Sequence, residues 1–439
     1  MMYFKITNAE ENHNNFQYTN GLNICMQDID DQGFTFTNEK FIFNYLSDGV
    51  YLREIFLPID NKNFKIIKYG NMWKTNMIIL GSKYLLSDIN TFVYLIQKGA
   101  DVHSGNEKAL RWASKNGHTE IVKFLLTIET VNIHAKNNYA IRWASRNGHV
   151  EIAQILIDKG ANIHANNEEA LSYSCENGHS EVFNILLQNG ADIHANNNDA
   201  LHWASQNNHL KIVKLLIQYG VNIHSSNDYA IRSACYFGYL KLVIFLVFNG
   251  ADIHYNDDEP FRLSCERGHF EVVYFLIKNG ANIHAYNDAP LWLASYYGHK
   301  NIVKLLLSYG SNVHTQNDCA LLLSSEMGHI EIVKILLKYG ANIHADDDRA
   351  FCLACENNHI KLVELLLDNG ANIHGHNDGP LCIASKNVHK KVVKILLHNK
   401  NNVFMHGKRA LRYAYANKHR EIARMIKANI QKKLKRLII

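Results

Sequence analysis

From residue 109 onward the chain alternates two short apolar stripes with polar turns. "ALRWAS" (109–114) closes on a Gly-His pair, and "EIVKFLL" (120–126) follows with apolar residues at i, i+1, i+4 and i+5. Each spacing lays its apolar residues along one face of a helix. Such helices have only about two to three turns, too few to persist alone in water, so each unit must bury its apolar face against the copies before and after it. Stacking in chain order is the expected fold.

The copies index on histidine. One recurs at 103, 134, 164, 194, 224, 254, 284, 314, 344 and 374, a spacing of 30 after one interval of 31, and a second at 118, 149, 179, 209, 269, 299, 329, 359, 389 and 419. The residue before the second is Gly in most copies (Gly117, Gly148, Gly178) and Asn at Asn208 and Asn358. These two residue types take the left-handed conformation at least cost, which predicts a helix C-terminal stop. The next first helix is predicted to open after Asn or Asp (Asn167, Asn227, Asp257, Asn287, Asp347, Asn377), with Pro260, Pro290 or Pro380 in its first turn. Eleven helix pairs, preceded by a half repeat, can be counted over 89–439. "MIKANIQKKLKRLII" reads as a capping helix near 420–437 with the polar outer face an array end needs. Its basic-apolar alternation also suits a membrane or nucleic-acid surface. Thr130 and Val388 replace recurring glycines, so a kink is expected at the first and an irregular end repeat at the second.

Residues 1–88 do not follow the period. "MYFKITN", "NFQYTNGLNIC", "VYLREIFLPI" and "NFKIIKYG" read as strands, and "NEKFIFNYLSDG" as a helix, giving a small α+β domain.

The repeated phrase "G-A-[ND]-I-H … [AP]-L-x-x-A-[SC]-x-x-G-H-x-E-I-V-K-x-L-L" resembles the ankyrin repeat from residue 91 to about 430. The resemblance implies a mainly α, helix-turn-helix solenoid. Three residues are missing before the first helix relative to the usual unit of about 33, which implies that the projecting β-hairpin is clipped to a tight loop. "YFKITN", "FQYTNGLNI", "VYLREIFLP" and "MWKTNMIILG", ahead of thirty-residue repeats in an Asn-rich chain, resemble the ankyrin-repeat paralogues of Mimivirus-type giant viruses.

Composition narrows the function. The 439 residues are 47% hydrophobic and 20% charged, with no apolar run of about 18 residues, so a soluble protein without a membrane span is expected. The start, "MMYFKITNAEENHNNF", lacks the features of a secretory signal, which places the chain in the cytoplasm, that of a host cell if the source is viral. Cys175, Cys235, Cys265 and Cys355 share a slot with Ser114, Ser145 and Ser205, as a small buried side chain would, not a disulfide. The net charge of +5 gives no general footprint for nucleic acid. No phosphate loop, Gly-x-Ser-x-Gly, paired CxxC or His-Glu-x-x-His is present, so neither catalysis by the array nor a cofactor or metal is expected.

The histidine ladders invite a metal reading, but packed helices lie about 8–10 Å apart, and zinc holds its nitrogen ligands at about 2.0–2.1 Å. The expectation is instead that each buried neutral ring bonds backbone groups of a turn, and that acid loosens the whole array. The second residue after the first-helix Leu faces the concave groove if the family resemblance holds: Trp112, Trp143, Tyr173 and Trp203, joined by Arg111, Arg142, Lys115 and Arg146. Aromatic and Arg clusters anchor interfaces; the alternative is that these rings pack between neighbouring inner helices. A monomeric, non-catalytic scaffold binding a protein partner, plausibly a host protein, on this face is the leading reading. Two others stand beside it: residues 1–88, with Glu11, His13 and Tyr18 close in sequence, as an enzyme or ligand module targeted by the repeats, and an adaptor to degradation machinery.

Overall fold

The computed structural model describes residues 2–13, 16–26, 29–375, 379–399 and 404–437. Asn377, one of the expected helix starts, lies outside the described residues, as does the side chain of His13. The chain divides into two compact units, Met1–Asn222 and Ile223–Ile439.

The first unit opens on strands β1 (Tyr3–Thr7), β2 (Asn12–His13), β3 (Phe16–Gln17), β4 (Gly21–Ile24), β5 (Phe34–Asn38), β6 (Tyr51–Phe56), β7 (Ile66–Tyr69), β8 (Met72–Thr75) and β9 (Met77–Leu85). Seven form one sheet in the order β4-β9-β6-β1-β5-β8-β7, every pair antiparallel, and β2 pairs with β3. Alternate side chains from one face, Phe34 and Phe36 from β5, Ile55 from β6, Ile78 and Leu80 from β9, cluster with Tyr18 in the core. The helical part of the expected α+β domain is slight: one turn at Ile29–Gln32 and a 3-10 helix at Glu39–Tyr45.

A half repeat, Ile89–Gln97, follows directly, its first turn capped by the Asp88 carboxylate accepting the Asn90 N–H at 2.9 Å. Aromatic rings carry the sheet domain onto the helices. Phe43 of the 3-10 helix stacks on Phe92 at 5.3 Å, and Phe92 stacks on Trp112 at 5.8 Å. The Ser104 hydroxyl donates to Asn44 Oδ1 at 2.9 Å across the same junction.

Four helix pairs complete the first unit, from Ser104–Asn116 with Thr119–Leu125 to Ala195–Gln206 with Leu210–Gln218. Seven make up the second, from Ser225–Phe237 with Leu240–Phe248 to Phe404–Ala416 with Arg420–Leu437. Each second helix buries an adjacent apolar pair and the residue three further on, such as Ile152, Ala153 and Leu156, or Val272, Val273 and Leu276. Full burial of one such Leu or Val is worth about 1.5–3 kcal/mol, which a helix of nine residues cannot obtain alone. The slot shared by Ser and Cys is fully buried in Ser114, Ser145, Cys175, Cys235, Cys265 and Cys355, and all eight cysteines are free thiols. Ile422, Ala423 and Ile426 bury one face of the last helix while Arg424, Lys427 and Lys432 stay exposed, the pattern of an end cap.

The loops correct one expectation. At the opening of eight first helices, just after the helix's first residue, three successive residues are left-handed: Asn166, Asn167 and Glu168 have φ of 54°, 60° and 63°. The same turn recurs at 105–107, 136–138, 226–228, 256–258, 286–288, 316–318 and 346–348. The Asn/Asp pairs are therefore not helix N-caps; they form the last two positions of a single left-handed turn. Asn and Asp tolerate that region, whereas Lys136, Tyr286 and Gln316 stand in it at about 1–2 kcal/mol each. The two irregular positions behave differently from each other. After Thr119–Leu125, two residues shorter than Val150–Asp158, the chain leaves through turns from Phe124 and Leu125 and so absorbs the extra residue near Thr130. Val388 instead takes φ +66°, strained for a β-branched residue, yet His389 N–H still reaches the Ala384 carbonyl at 2.9 Å and the next helix keeps nine residues. The repeat departs from the others at its exit, where Asn399 is extended after the second helix.

Candidate functional site

Two ladders of imidazoles join repeat to repeat, and they do so differently. In the turn ladder Nε2–H donates to a backbone carbonyl of the preceding repeat: His179 to Arg146 at 2.9 Å and His209 to Glu176 at 2.9 Å in the first unit, His299 to Glu266 at 2.8 Å and His359 to Glu326 at 2.7 Å in the second. Each ring fills the space over the preceding turn. At Gly178, with φ +80°, a Cβ would meet the His209 ring at 2.5 Å, so glycine is required twice over.

The loop ladder bonds side chains instead. Nδ1–H of His284 donates to Asp288 at 2.9 Å, that of His254 to Asp258 at 3.1 Å, and those of His103 and His164 to Glu107 and Glu168. The carboxylates sit at the end of the left-handed turn, nearly buried, and the aspartates also accept a backbone N–H of the following repeat: Asn282 to Asp258 at 2.9 Å and Asn312 to Asp288 at 3.0 Å. The motif's Asn or Asp two residues before the histidine completes the loop, its side chain accepting the histidine N–H, as Asn282 does at 3.0 Å. Sequence reading had assigned all these rings to buried backbone partners. The loop rings paired with carboxylates are 45–57% exposed, and His134 and His194 face the amides of Asn138 and Asn198 instead.

Two rings of the turn ladder, His118 and His179, are held below the ordinary histidine value. Burial holds His179 below its ordinary 6.5, with His149 and His209 adding to it against the Arg146 carbonyl bond, and burial lowers His118 likewise. The unfolded chain then binds more protons than the folded one, so this contribution is complete above pH about 6.5 and fades as pH falls below it. The expected outcome is a lower melting temperature at pH 5.5 than at pH 7.5, with the difference reduced in His179→Gln; equal shifts in both proteins would refute the assignment.

On the first-helix face of the first unit the predicted aromatics are all half-buried. Trp112 lies between Phe92 and the His118 ring at 4.6 Å. Trp143 stacks on Tyr139 at 5.2 Å, with Lys115 Nζ 4.6 Å and the Arg146 guanidinium 4.9 Å from its centroid, and Arg146 also lies 4.8 Å from Tyr173. Lys115, Trp143, Arg146 and Tyr173 thus form one continuous cation–aromatic run. Trp203 stands apart, against His202 at 5.2 Å.

The two earlier arginines are committed to loops. Arg111 donates to the Asn106 and Gly105 carbonyls at 2.8 and 2.7 Å, and buried Arg142 to those of Asn137 and Lys136 at 2.9 and 3.0 Å and to Glu169 at 2.5 Å. They tie down carbonyls of the left-handed turn, as Arg262 does in a later repeat. Burial opposes ionisation of Glu169, but hydrogen bonds from Tyr173 and Asn166 and the charge of Arg142 prevail and lower its pKa. Tyr139, which carries Arg111 at 5.1 Å on its ring, was missed in the sequence because it precedes the apolar stripe.

In the sheet domain Glu11 is held by Arg53 at 2.7 Å and Lys83 at 3.0 Å, and Tyr18 is buried in the core with its pKa raised by burial. Both serve the packing of the sheet. Among the described residues no group of three or more His, Cys, Asp or Glu is placed to hold a metal ion, and no helix is long and apolar enough to cross a membrane.

Models of "Ankyrin repeats (3 copies)" match residues 83–167, 163–227, 230–317, 310–377 and 351–436. The chain belongs to the ankyrin-repeat family. Similar proteins include several of Acanthamoeba polyphaga mimivirus. Ankyrin repeat protein R868 is 43% identical over 135 residues, covering 28% of this chain and 66% of R868. Protein R869 is 44% identical over 134 residues, 28% of this chain and 97% of R869, and ankyrin repeat protein R896 is 42% identical over 132 residues, 28% of this chain and 40% of R896. The match thus spans just under two thirds of R868 and two fifths of R896. Among solved structures, the human ASB11 ankyrin repeat domain is similar at TM-score 0.37 and 22% identity, covering 39% of this chain and 84% of that one. Ankyrin repeats are in general non-catalytic modules of protein–protein interaction.

Proposed function

We propose that this chain is a non-catalytic scaffold that holds a protein partner, a host protein for a virus-encoded chain, on the concave first-helix face of its repeats. We further propose that it acts as a cytoplasmic monomer and that residues 1–88 are an N-terminal module capping the repeats at 89–439. The observation that supports this reading is the run Lys115, Trp143, Arg146 and Tyr173, half exposed and of the residue types that dominate interface energetics. Trp112, Arg111, Arg142 and Trp203 flank it, the two arginines by holding the loops that shape it.

A photo-crosslinking residue at Asn116 or Asn207 of the full chain, on the exposed first-helix face, tests the proposal. A discrete protein adduct is expected from these positions and none from Glu181 on the second-helix face. Trp143→Ala is expected to reduce adduct formation at least tenfold, the scale of one interface hot spot of about 2 kcal/mol. Equal adducts from both faces, or none from the first-helix face, would sink the reading.

A further inference from the structure

The charge on this face is not spread evenly. Ser104–Asn116 carries Lys108, Arg111 and Lys115 against a single acid, Glu107, which is buried and bonded to His103. Ala135–Arg146 carries Lys136, Arg142 and Arg146 and no acid. The next two first helices reverse the sign: Ala165–Glu176 and Ala195–Gln206 hold Glu168, Glu169, Glu176 and Asp199 and no Lys or Arg. Of the six cations only Arg142 makes an ion pair among the described residues, with Glu169. At Lys108 burial and then Arg111 lower the pKa, Asp48 opposes, and Lys115 lowers it further. A cluster in which cations outnumber acids is stabilised by an anionic ligand.

Beside this cluster a cleft of about 460 Å³ opens between the sheet domain and the first repeat. Leu46, Val50, Leu85 and Trp112 give it apolar walls, and Lys115 and His118 stand at its polar side. Its volume falls in the range of about 300–1,000 Å³ typical of ligand clefts. The rings already carry neighbours, Trp143 those of Tyr139, Lys115 and Arg146 and Trp112 those of Phe92 and His118. A nucleic-acid strand needs free faces for base stacking. It would also run from the basic repeats straight onto the acidic ones.

We infer that the first two repeats and the adjoining cleft bind an acidic polypeptide segment, its carboxylates on Lys115, Arg146 and Arg111 and one Leu- or Phe-sized side chain in the cleft. This rests on the scaffold reading and names its partner's chemistry. The sign reversal at the third repeat limits the segment to the N-terminal end of the face, because a longer acidic stretch would meet Glu169 and Glu176.

The test uses the full chain and three fluorescein-labelled probes: a dodecapeptide of alternating Glu and Ser with one central Phe, the same peptide with Gln for Glu, and a 12-nucleotide oligouridine. The acidic peptide is expected to bind, to weaken at least tenfold with Gln for Glu, and to weaken further as salt rises. Lys115→Glu and Arg146→Glu should each cost at least tenfold, and Lys115→Gln, which adds no new charge to disturb folding, an intermediate amount. Equal binding of the Gln peptide, tighter binding of oligouridine, or indifference to both charge reversals overturns the inference. If the face crosslinks a protein while the acidic peptide does not bind, the partner's chemistry is wrong and the scaffold stands.

Discussion

Replacing Phe92 with Ala is expected to destabilise the first unit by about 3–5 kcal/mol, the range for deleting a buried aromatic ring. Phe92 is fully buried, with Phe43 on one face and Trp112 on the other, so its loss opens a cavity where the sheet domain meets the first repeat. Arrays of this kind unfold in parts, so the effect belongs to a local transition rather than to the whole chain. Denaturant unfolding followed by tryptophan fluorescence should show an early step, reporting Trp112, that the unaltered protein lacks. A change below about 1 kcal/mol, small for this class of substitution, would mean that the sheet domain and the repeats are held together elsewhere.

The second large effect is expected at a loop. The Asp288 carboxylate accepts from His284 Nδ1–H at 2.9 Å, the Asn312 N–H at 3.0 Å and the Thr315 hydroxyl at 2.9 Å. Asp288→Ala removes the acceptor of the Asn312 N–H and sets an alanine at φ +55°, for a combined cost of about 2–3 kcal/mol. Asp288→Asn keeps an acceptor and a residue at home in the left-handed region, as Asn138 does in its own repeat, and should recover most of the loss. Hydrogen exchange at the Asn312 amide reads the difference: protection should fall strongly in the Ala variant and little in the Asn variant. Undiminished protection in Asp288→Ala would show that the carboxylate is not the joint.

These two sites differ in how far the sequence reveals them. The period, the helix pairs, the glycine stops and the buried Ser/Cys slot all follow from apolar spacing and side-chain size, which leave a direct trace in residue order. The left-handed turn does not, because Asn-Asp is equally good chemistry for a helix N-cap and for positive φ; only the depth of Asp258 or Asp288 in the fold separates the two. β9 was missed for a related reason: "MIILGSKYL" begins as an unbroken apolar run, since its first half lies between two strands and is covered, and so lacks the period-two signal of a half-exposed strand. On the candidate face the aromatics were legible from their register, but the duties of Arg111 and Arg142 were not, because their carbonyl partners exist only once the turn has formed. The cleft beside Trp112 draws Leu46, Val50 and Leu85 from the segment outside the repeat, which no periodicity could bring to it.

The Asp258 and Asp288 carboxylates and the His179 and His299 rings each complete a bond with an adjoining copy, so these joints are assembled from two copies. Recombination that adds or removes thirty codons restores both halves of each joint, whatever point within a copy it cuts. A single extra residue is carried at the exit of a second helix, around Thr130, and leaves His134 bonded to Asn138 at 2.9 Å. Such an architecture lets a genome vary the length of the molecule by unequal crossing-over while the sequence of the exposed face drifts independently.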